Sequence, residues 1–502
     1  MASLLPPLRR ALPKLGRDLF TCRQCPKSAP IQAPKLRTSK GLSAFQPTRF
    51  YNSSAPLRTS AATVTGAQAT PLSSLSQTIA NSQKETAKKS FFPDTSSRGV
   101  AFWLLGSAAS VFGIVVFGGL TRLTESGLSI TEWRPVTGTL PPLSAADWDS
   151  EFNKYRASPE FKLLNPTMTL DEFKYIYFME WTHRLWGRVI GMSFVLPAIY
   201  FVASRRVSRP LTAGLVGISA IIGIQGFIGW WMVKSGLKDD LFAPGSHPRV
   251  SQYRLAAHLG TAFICYVTML WGGLSTLRDR ALLADPARGH ASIIERSNPA
   301  LRLFRRSVGV VALLVFTTAV SGALVAGLDA GLIYNEFPTM GPGRLAPPAS
   351  ELFSDFYSRR EDKSDLWWRN ILENPSTVQL DHRILATTTL TTIIALWAYS
   401  RFNPRVAAAM PRNARKGMLG VVHFGLAQVA LGITTLLYLV PLPLASAHQA
   451  CSMGLLTMAL VLGSRLWVPK RTLGLVKSSM AQAAQGASKV RVPAAARGTP
   501  IA

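Results

Sequence analysis

Charge, and negative charge above all, is scarce in this chain of 502 residues. Acids number 26 against 55 bases, and the two together make up only 16% of the sequence, where a soluble protein of this size carries about a quarter. Mean hydropathy is positive and 48% of residues are apolar. Apolar runs of about 20 residues, the length that spans a bilayer, recur along the chain. A soluble globular fold is therefore excluded in favour of an all-α polytopic membrane protein. Cysteine is also rare. Cys22 and Cys25 form a lone CxxC with no second pair, and Cys265 and Cys451 lie inside apolar helices as core residues, so no disulfide framework is implied.

The formal charge of +29 raises the question of nucleic acid, and its distribution answers it. Residues 1–84 hold 12 Lys/Arg against a single acid, Asp18. That segment is rich in Ser, Ala and Pro and lacks a secretory apolar core, which is the composition of a mitochondrial transit peptide. RFYNSS, starting at Arg49, places Arg two residues before an aromatic, and we expect cleavage near Tyr51. Residues 1–51 are read as the transit peptide and 52–97 as a disordered matrix segment. Most of the remaining excess falls in short loops and the tail, as a topology signal does. Nucleic acid is not an expected partner.

Eight spans are expected at about 100–121, 178–203, 211–233, 253–277, 307–328, 378–400, 417–440 and 444–467. The loops after the second, fourth and sixth spans are basic. The C-terminal tail has six Lys/Arg and no acid. The long loops after the first and fifth spans are slightly acidic, with six bases against eight acids and five against eight. The positive-inside rule then puts both termini and the basic loops in the matrix, and the long loops in the intermembrane space.

The chain repeats itself. GGLTRLTESGLSITEW (Gly118–Trp133) matches SGALVAGLDAGLIYNEF (Ser321–Phe337), and GIQGFIGWW (from Gly223) matches LAQVALGITTLL (from Leu426), with Gln225 opposite Gln428 and Gly229 opposite Gly432. The His183-Arg184 and His382-Arg383 pairs lie 199 residues apart, and His258 and His448 lie 190 apart. Each repeat holds four spans, so the halves share one orientation. Two parallel-repeat four-helix bundles are expected: residues 98–277 and 307–467, joined by a basic matrix linker at 278–306 and followed by a basic matrix tail at 468–502.

His183, His258, His382 and His448 each open an even-numbered span. At ~1.5 Å per residue all four imidazoles fall within about 10 Å of the same surface. Ionisable groups in a membrane span are costly and mark function. Two facing imidazoles on a four-helix bundle suit haem iron with axial histidines. An isolated histidine at a helix end is usually a hydrogen-bonded interfacial residue; four at matched positions in two repeats favour ligation. His247, His290 and His423 have no such match and are read as non-ligands.

Arg184, Arg254 and Arg383 stand beside these histidines, placed either to pair with haem propionates or to snorkel. Glu180 precedes His183 by three residues on the same helix face, where the second repeat has Gln379. It could act as a proton acceptor or stabilise a cationic intermediate, or simply pair with Arg184.

EWTHRLWGR, RLAAHLG, VQLDHRILA and AHQACS, with GGLTRLTESGLSITEW and GLIYNEFP, resemble the haem A synthase family in its eukaryotic mitochondrial branch, over roughly residues 98–467. The resemblance implies an inner-membrane oxidoreductase that turns a porphyrin methyl group of haem O into a formyl group by successive hydroxylations, giving haem A for cytochrome c oxidase. It implies haem b on His382 and His448, the substrate haem on His183 and His258, and a catalytic Glu180. Implied partners are haem O, the haem O synthase upstream, matrix ferredoxin with its reductase, the oxidase assembly machinery and membrane lipid, with room for a homo-oligomer. Some bacterial relatives carry a cysteine pair in the first long loop. Here no cysteine stands between Cys25 and Cys265. A dihaem cytochrome b-like electron-transfer subunit and a non-catalytic haem-binding assembly factor are the other classes open to such histidines.

Overall fold

The computed structural model describes residues 91–242 and 248–490, with side chains to 485. The Cys22/Cys25 pair, the cleavage site near Tyr51, His247 and the last residues of the tail lie outside the described residues. Eight long helices carry the fold: α1 (Arg98–Leu123), α4 (Leu170–Ala203), α5 (Arg209–Gly236), α6 (Gln252–Ala284), α8 (Arg302–Gly327), α10 (Pro375–Phe402), α11 (Arg412–Leu437) and α12 (Leu442–Leu466). Between them run α2 (Ala145–Arg156), α3 (Pro159–Leu164), α7 (Pro286–Ser297) and α9 (Leu366–Glu373), with α13 (Lys470–Val490) at the end.

Local chemistry starts these helices where the sequence allows. At α2 and α4, Ser144 with Asp147 and Thr169 with Glu172 form reciprocal capping boxes. Asn374 caps α10 by accepting from the Ser376 N–H, with Pro375 in the first turn. Such caps satisfy N–H groups that a helix cannot satisfy itself. Seven of the long helices are apolar enough by length and composition to cross a membrane. The other, α10, has 28 residues but a more polar face, with Gln379, Asp381, His382, Arg383 and five threonines between 387 and 392.

Helix pairing follows one scheme twice. In the first half α1 packs on α4 and α6, α4 on α5, and α5 on α6; in the second, α8 packs on α10 and α12, α10 on α11, and α11 on α12. The halves meet through α1, α6, α8 and α12. The core is dry: Val100, Leu104, Ala108, Val111 and Val115 descend one face of α1, and Phe263, Met269, Phe304, Val308 and Met453 belong to the same buried cluster. Spacings of three and four put such residues on one helical stripe.

Helix α4 has 34 residues, or about 50 Å at 1.5 Å per residue, and so exceeds a bilayer core of about 30 Å. Its first turns instead belong to a cap formed with α2 and α3 around Phe152, Tyr155, Phe173, Ile176 and Tyr177. Phe173 stacks between Phe152 and Tyr155, with ring centroids 5.0 and 5.3 Å away. At the opposite end the linker and tail, expected only as basic segments, contain α7 and α13, which close on Leu282, Ile293 and Val476.

Glu160, in α3, is buried in the cap at 3% exposure, and its Oε2 has no hydrogen-bond partner. Burial first, then the charges of Glu180 and Glu125, push its carboxyl up to about 8. The folded chain thus holds this proton more tightly than the unfolded chain. Stability should fall as pH rises from 4.5 to about 8. Glu160→Gln is expected to flatten the pH dependence of the unfolding midpoint in detergent and to raise the midpoint at the alkaline end; an unchanged slope would refute the assignment.

Candidate functional site

The four histidines expected as ligands stand two in each helix ring. His183 on α4 and His258 on α6 face one another with ring centroids 6.5 Å apart and planes inclined by 68°. Metal–imidazole bonds of about 2 Å on either side of one ion would put the ligating nitrogens about 4 Å apart and the ring centroids about 6 Å apart. The spacing therefore suits a single metal between the two rings. Among the described residues no three His, Cys, Asp or Glu side chains gather to hold a bare metal ion. A two-histidine site demands a metal that brings its own equatorial donors, which haem does.

Each histidine rests against a glycine of the preceding long helix, a contact the sequence repeat does not reveal, although it pairs Gly229 with Gly432. A Cβ on Gly118 would lie 2.9 Å from His183 Nε2, and one on Gly229 would lie 3.1 Å from His258 Cε1. In the second half a Cβ on Gly322 would lie 3.3 Å from His382 Cε1, and one on Gly432 would lie 2.9 Å from His448 Cε1. Any side chain at these positions would push the imidazole aside. Gly229 and Gly432 stand opposite one another in the sequence repeat. Gly118 aligns there with Ser321, whereas the structure gives its role to Gly322, one residue on.

The surroundings of the two pairs differ. Ser321 Oγ lies 2.7 Å from His382 Nδ1, leaving Nε2 as the nitrogen free to ligate. Gln428 Nε2 lies 3.3 Å from His448 Nε2. In the first half Gln225 instead donates to the His258 carbonyl at 2.9 Å; His258 Nδ1 and His448 Nδ1 are alike buried without a partner. Partners on the far ring nitrogen fix a ligand histidine's orientation. Phe117 stands at the position of Ser321 when the two glycine seats are aligned.

Glu180 is 2% exposed, and its carboxylate is saturated with donors. Oε2 accepts from Ser129 Oγ and the Ile130 N–H, both at 2.8 Å. Oε1 accepts from Arg184 Nη2 at 2.6 Å and Nε at 3.0 Å. Arg184 also donates to the carbonyls of Ile130 and Glu132. The glutamate and arginine together tie the GLSITEW loop over α4. Gln379, its counterpart, donates to the Tyr334 carbonyl. Arg383 does the same work as Arg184, donating to the carbonyls of Tyr334, Glu336 and Thr339. Arg254 donates to the Trp231 carbonyl and covers the Trp231 ring with its guanidinium at 4.2 Å. A small cleft of about 50 Å³, lined by Glu132, Arg134, Glu151, Tyr177, Arg184 and Arg188 among others, opens above the Glu180–Arg184 pair.

The seats of the two halves touch. Gln449, next to His448, donates to the Val115 carbonyl of α1 at 3.0 Å. Gly119 leaves the space its side-chain amide occupies, since a Cβ there would fall on Gln449 Oε1. Asp329 ties the same junction further out, accepting from Arg122 at 2.7 Å and Arg249 at 2.9 Å. His423, on α11, is exposed, and His290 lies in α7. Cys265 and Cys451 are free thiols.

Gly322→Leu is expected to lower the haem bound per polypeptide severalfold in a pyridine haemochrome assay of purified protein. Gly309→Leu, on the same helix where a Cβ meets nothing within 4 Å, should retain it. Equal haem in both variants would contradict the seat.

The chain resembles known proteins over the region that holds these features. It is 52% identical over 378 residues to "Heme A synthase COX15" of Saccharomyces cerevisiae, covering 74% of this chain and 76% of that protein. It is 44% identical over 376 residues to "Heme A synthase COX15" of Homo sapiens, covering 74% of this chain and 84% of that protein. It is 52% identical over 373 residues to the "Heme A synthase-mitochondrial ferredoxin fusion protein" of Schizosaccharomyces pombe, covering 74% of this chain but only 60% of that longer protein. The model of the cytochrome oxidase assembly proteins, COX15-CtaA, matches residues 101–460, from α1 to α12, and the chain belongs to that family.

Proposed function

We propose that this protein is a haem A synthase of the mitochondrial inner membrane, oxidising the porphyrin methyl group of haem O to a formyl group. The observation that carries the reading is the opposed His183 and His258, 6.5 Å apart on glycine seats, with one buried carboxylate, Glu180, three residues away. The names of the relatives supply the substrate class.

The halves take different duties. His183 and His258 would hold haem O as axial ligands, and His382 and His448 would hold haem b. The bound haem b would supply one-electron transfer. The polar neighbours support this division: His382 has Ser321 to fix its ring, as a resident group requires, whereas the first-half rings lack comparable anchors, as suits a ligand that must leave. Gln449, which joins α12 to α1 beside Gly118, sets the two seats close together.

Glu180 would stabilise positive charge developing at the methyl carbon or relay a proton, the latter requiring one of its four hydrogen bonds to open. Four donors fix its orientation without committing it to solvent. The polar cleft above Arg184 offers a route outward. The propionates of the substrate would lie toward Arg184 and Arg254, and those of the cofactor toward Arg383. The guanidinium groups already clamp loop carbonyls, so the propionates would share these donors rather than replace them. Methyl-to-formyl oxidation removes four electrons from the carbon, so each of two hydroxylations would insert one atom of dioxygen, the other leaving as water with two protons and two electrons from a matrix ferredoxin and its reductase; one relative joins a haem A synthase to a ferredoxin in a single chain. Haem O would arrive from its synthase through the bilayer, and the product would pass to the oxidase assembly machinery. The excess of Lys and Arg in the short loops supports an orientation with both termini in the matrix.

Glu180→Gln is expected to lower haem A formation by roughly two orders of magnitude or more, the usual contribution of a positioned acid–base group. Haem extracted from the purified variant should contain haem O or a hydroxylated derivative, with haem b retained. Normal haem A from this variant would remove Glu180 from the chemistry. Extraction of wild-type protein checks the function itself: haem b alone, with no haem O or oxidised derivative, would favour an electron-transfer cytochrome.

A further inference from the structure

The matrix-side ends of α8 and α10, on the face opposite the ligand histidines, enclose a cleft of about 340 Å³. Arg302 and Arg306 from α8 and Arg405 from the short helix Pro404–Ala409 line it, with Tyr399 and Asn403 of the α10 terminus on its wall. No acid lines it. None of the three guanidinium groups makes a hydrogen bond or ion pair among the described residues, unlike neighbouring Arg305, which donates to the carbonyls of Arg296 and Asn298. Three uncompensated cations around one concavity form an anion site, because a guanidinium fork matches the oxygens of a phosphate.

The first half shows what a closed version looks like. Tyr200 and Arg206 stand 199 residues before Tyr399 and Arg405. There Arg206 lies over the Tyr200 ring at 5.5 Å, and its carbonyl accepts from the Ser97 N–H at 2.9 Å. Ser96 Oγ accepts from the Ser208 N–H at 3.0 Å, completing the closure. The segment before α1 thus hydrogen-bonds across this corner in the first half, whereas Pro299–Leu301 before α8 packs on the Pro404–Ala409 helix and leaves the cleft beside the arginines.

The membrane side of the cleft identifies the occupant. Leu303, Val310 and Leu313 are 59%, 53% and 64% exposed. With Arg306 they recur at spacings of three and four, so one stripe of α8 runs from the arginines down the apolar face. A free phosphate would use the arginines alone, whereas a phospholipid would set its headgroup among the arginines and its acyl chains along Leu303, Val310 and Leu313. Basic pockets between membrane helices bind anionic headgroups in this manner.

We propose that the cleft between α8 and α10 is a binding site for a dianionic phospholipid, its two phosphates shared among Arg302, Arg306 and Arg405. The full chain, purified in neutral detergent, would be titrated with a diphosphatidylglycerol, with phosphatidylcholine and with inorganic phosphate, and bound lipid counted by native mass spectrometry. Wild type should retain the diphosphatidylglycerol and neither of the others. The triple variant Arg302→Gln/Arg306→Gln/Arg405→Gln should bind it roughly tenfold or more weakly, the loss of at least one charge-assisted hydrogen bond. A control triple on the same side of the protein, Arg280→Gln/Arg288→Gln/Lys477→Gln, should bind as wild type does. Equal losses in both triples would reduce the effect to general surface charge and overturn the site. Displacement of the lipid by millimolar phosphate would make it a free-anion site and overturn the lipid assignment. Protection of these arginines by an acidic soluble protein, without retained lipid, would do so too. Should the triple variant fail to fold, Arg306→Gln alone must weaken binding severalfold, and no change in that variant refutes the proposal.

Discussion

An imidazole in the middle of an apolar helix bundle needs room as well as a partner, and the glycine facing each histidine supplies the room. Interiors are packed as densely as organic crystals, so space beside a ring exists only where a side chain is missing. Four glycines, each on the long helix preceding its histidine, leave the room that the four rings occupy. The helix pairing in each half, the depth of the site and the approach of the two seats through Gln449 all follow from which helices carry these glycine–histidine contacts.

The second constraint is electrostatic. Arg184 and Arg383 emerge from their helices beside His183 and His382, where an unpaired cation would be costly. Both solve this by drawing a long loop back over the helix end and taking its carbonyls. The loops are thereby lids over the two seats. In the first half the lid also delivers donors to a carboxylate on the helix it covers, Glu180, through Ser129 and the Ile130 N–H. Glu180 thus puts a buried carboxylate into a clamp that in the second half holds the neutral amide of Gln379.

Much of this was legible in residues taken one at a time. Uninterrupted apolar runs placed the long helices, and the 199-residue spacing of the His-Arg pairs brought out the repeat. The start of α4 was placed near 178 instead of Leu170, because its first turns are stabilised by Phe152 and Tyr155 in another helix rather than by lipid. Helices α7 and α13 were hidden for a related reason: each is too polar to signal a span, and their apolar residues meet only through Ile293 and Val476. The partners of Arg184 lie some 50 residues upstream across a loop, a distance that no periodicity measures. Glu160 looked like one more loop acid until the cap closed around it.

Gln449 has one further consequence. Its amide reaches from the turn bearing His448 into the backbone of α1, one turn before Gly118. A ligand that shifts α12 therefore works against the helix that shapes the other seat. Binding free energies so connected are reciprocal: whatever factor loading one half applies to the affinity of the second, loading the second applies to the first. The seam between the repeats is then the contact through which any coupling between the two seats would run, and an affinity measured for one half belongs to a stated occupancy of the other.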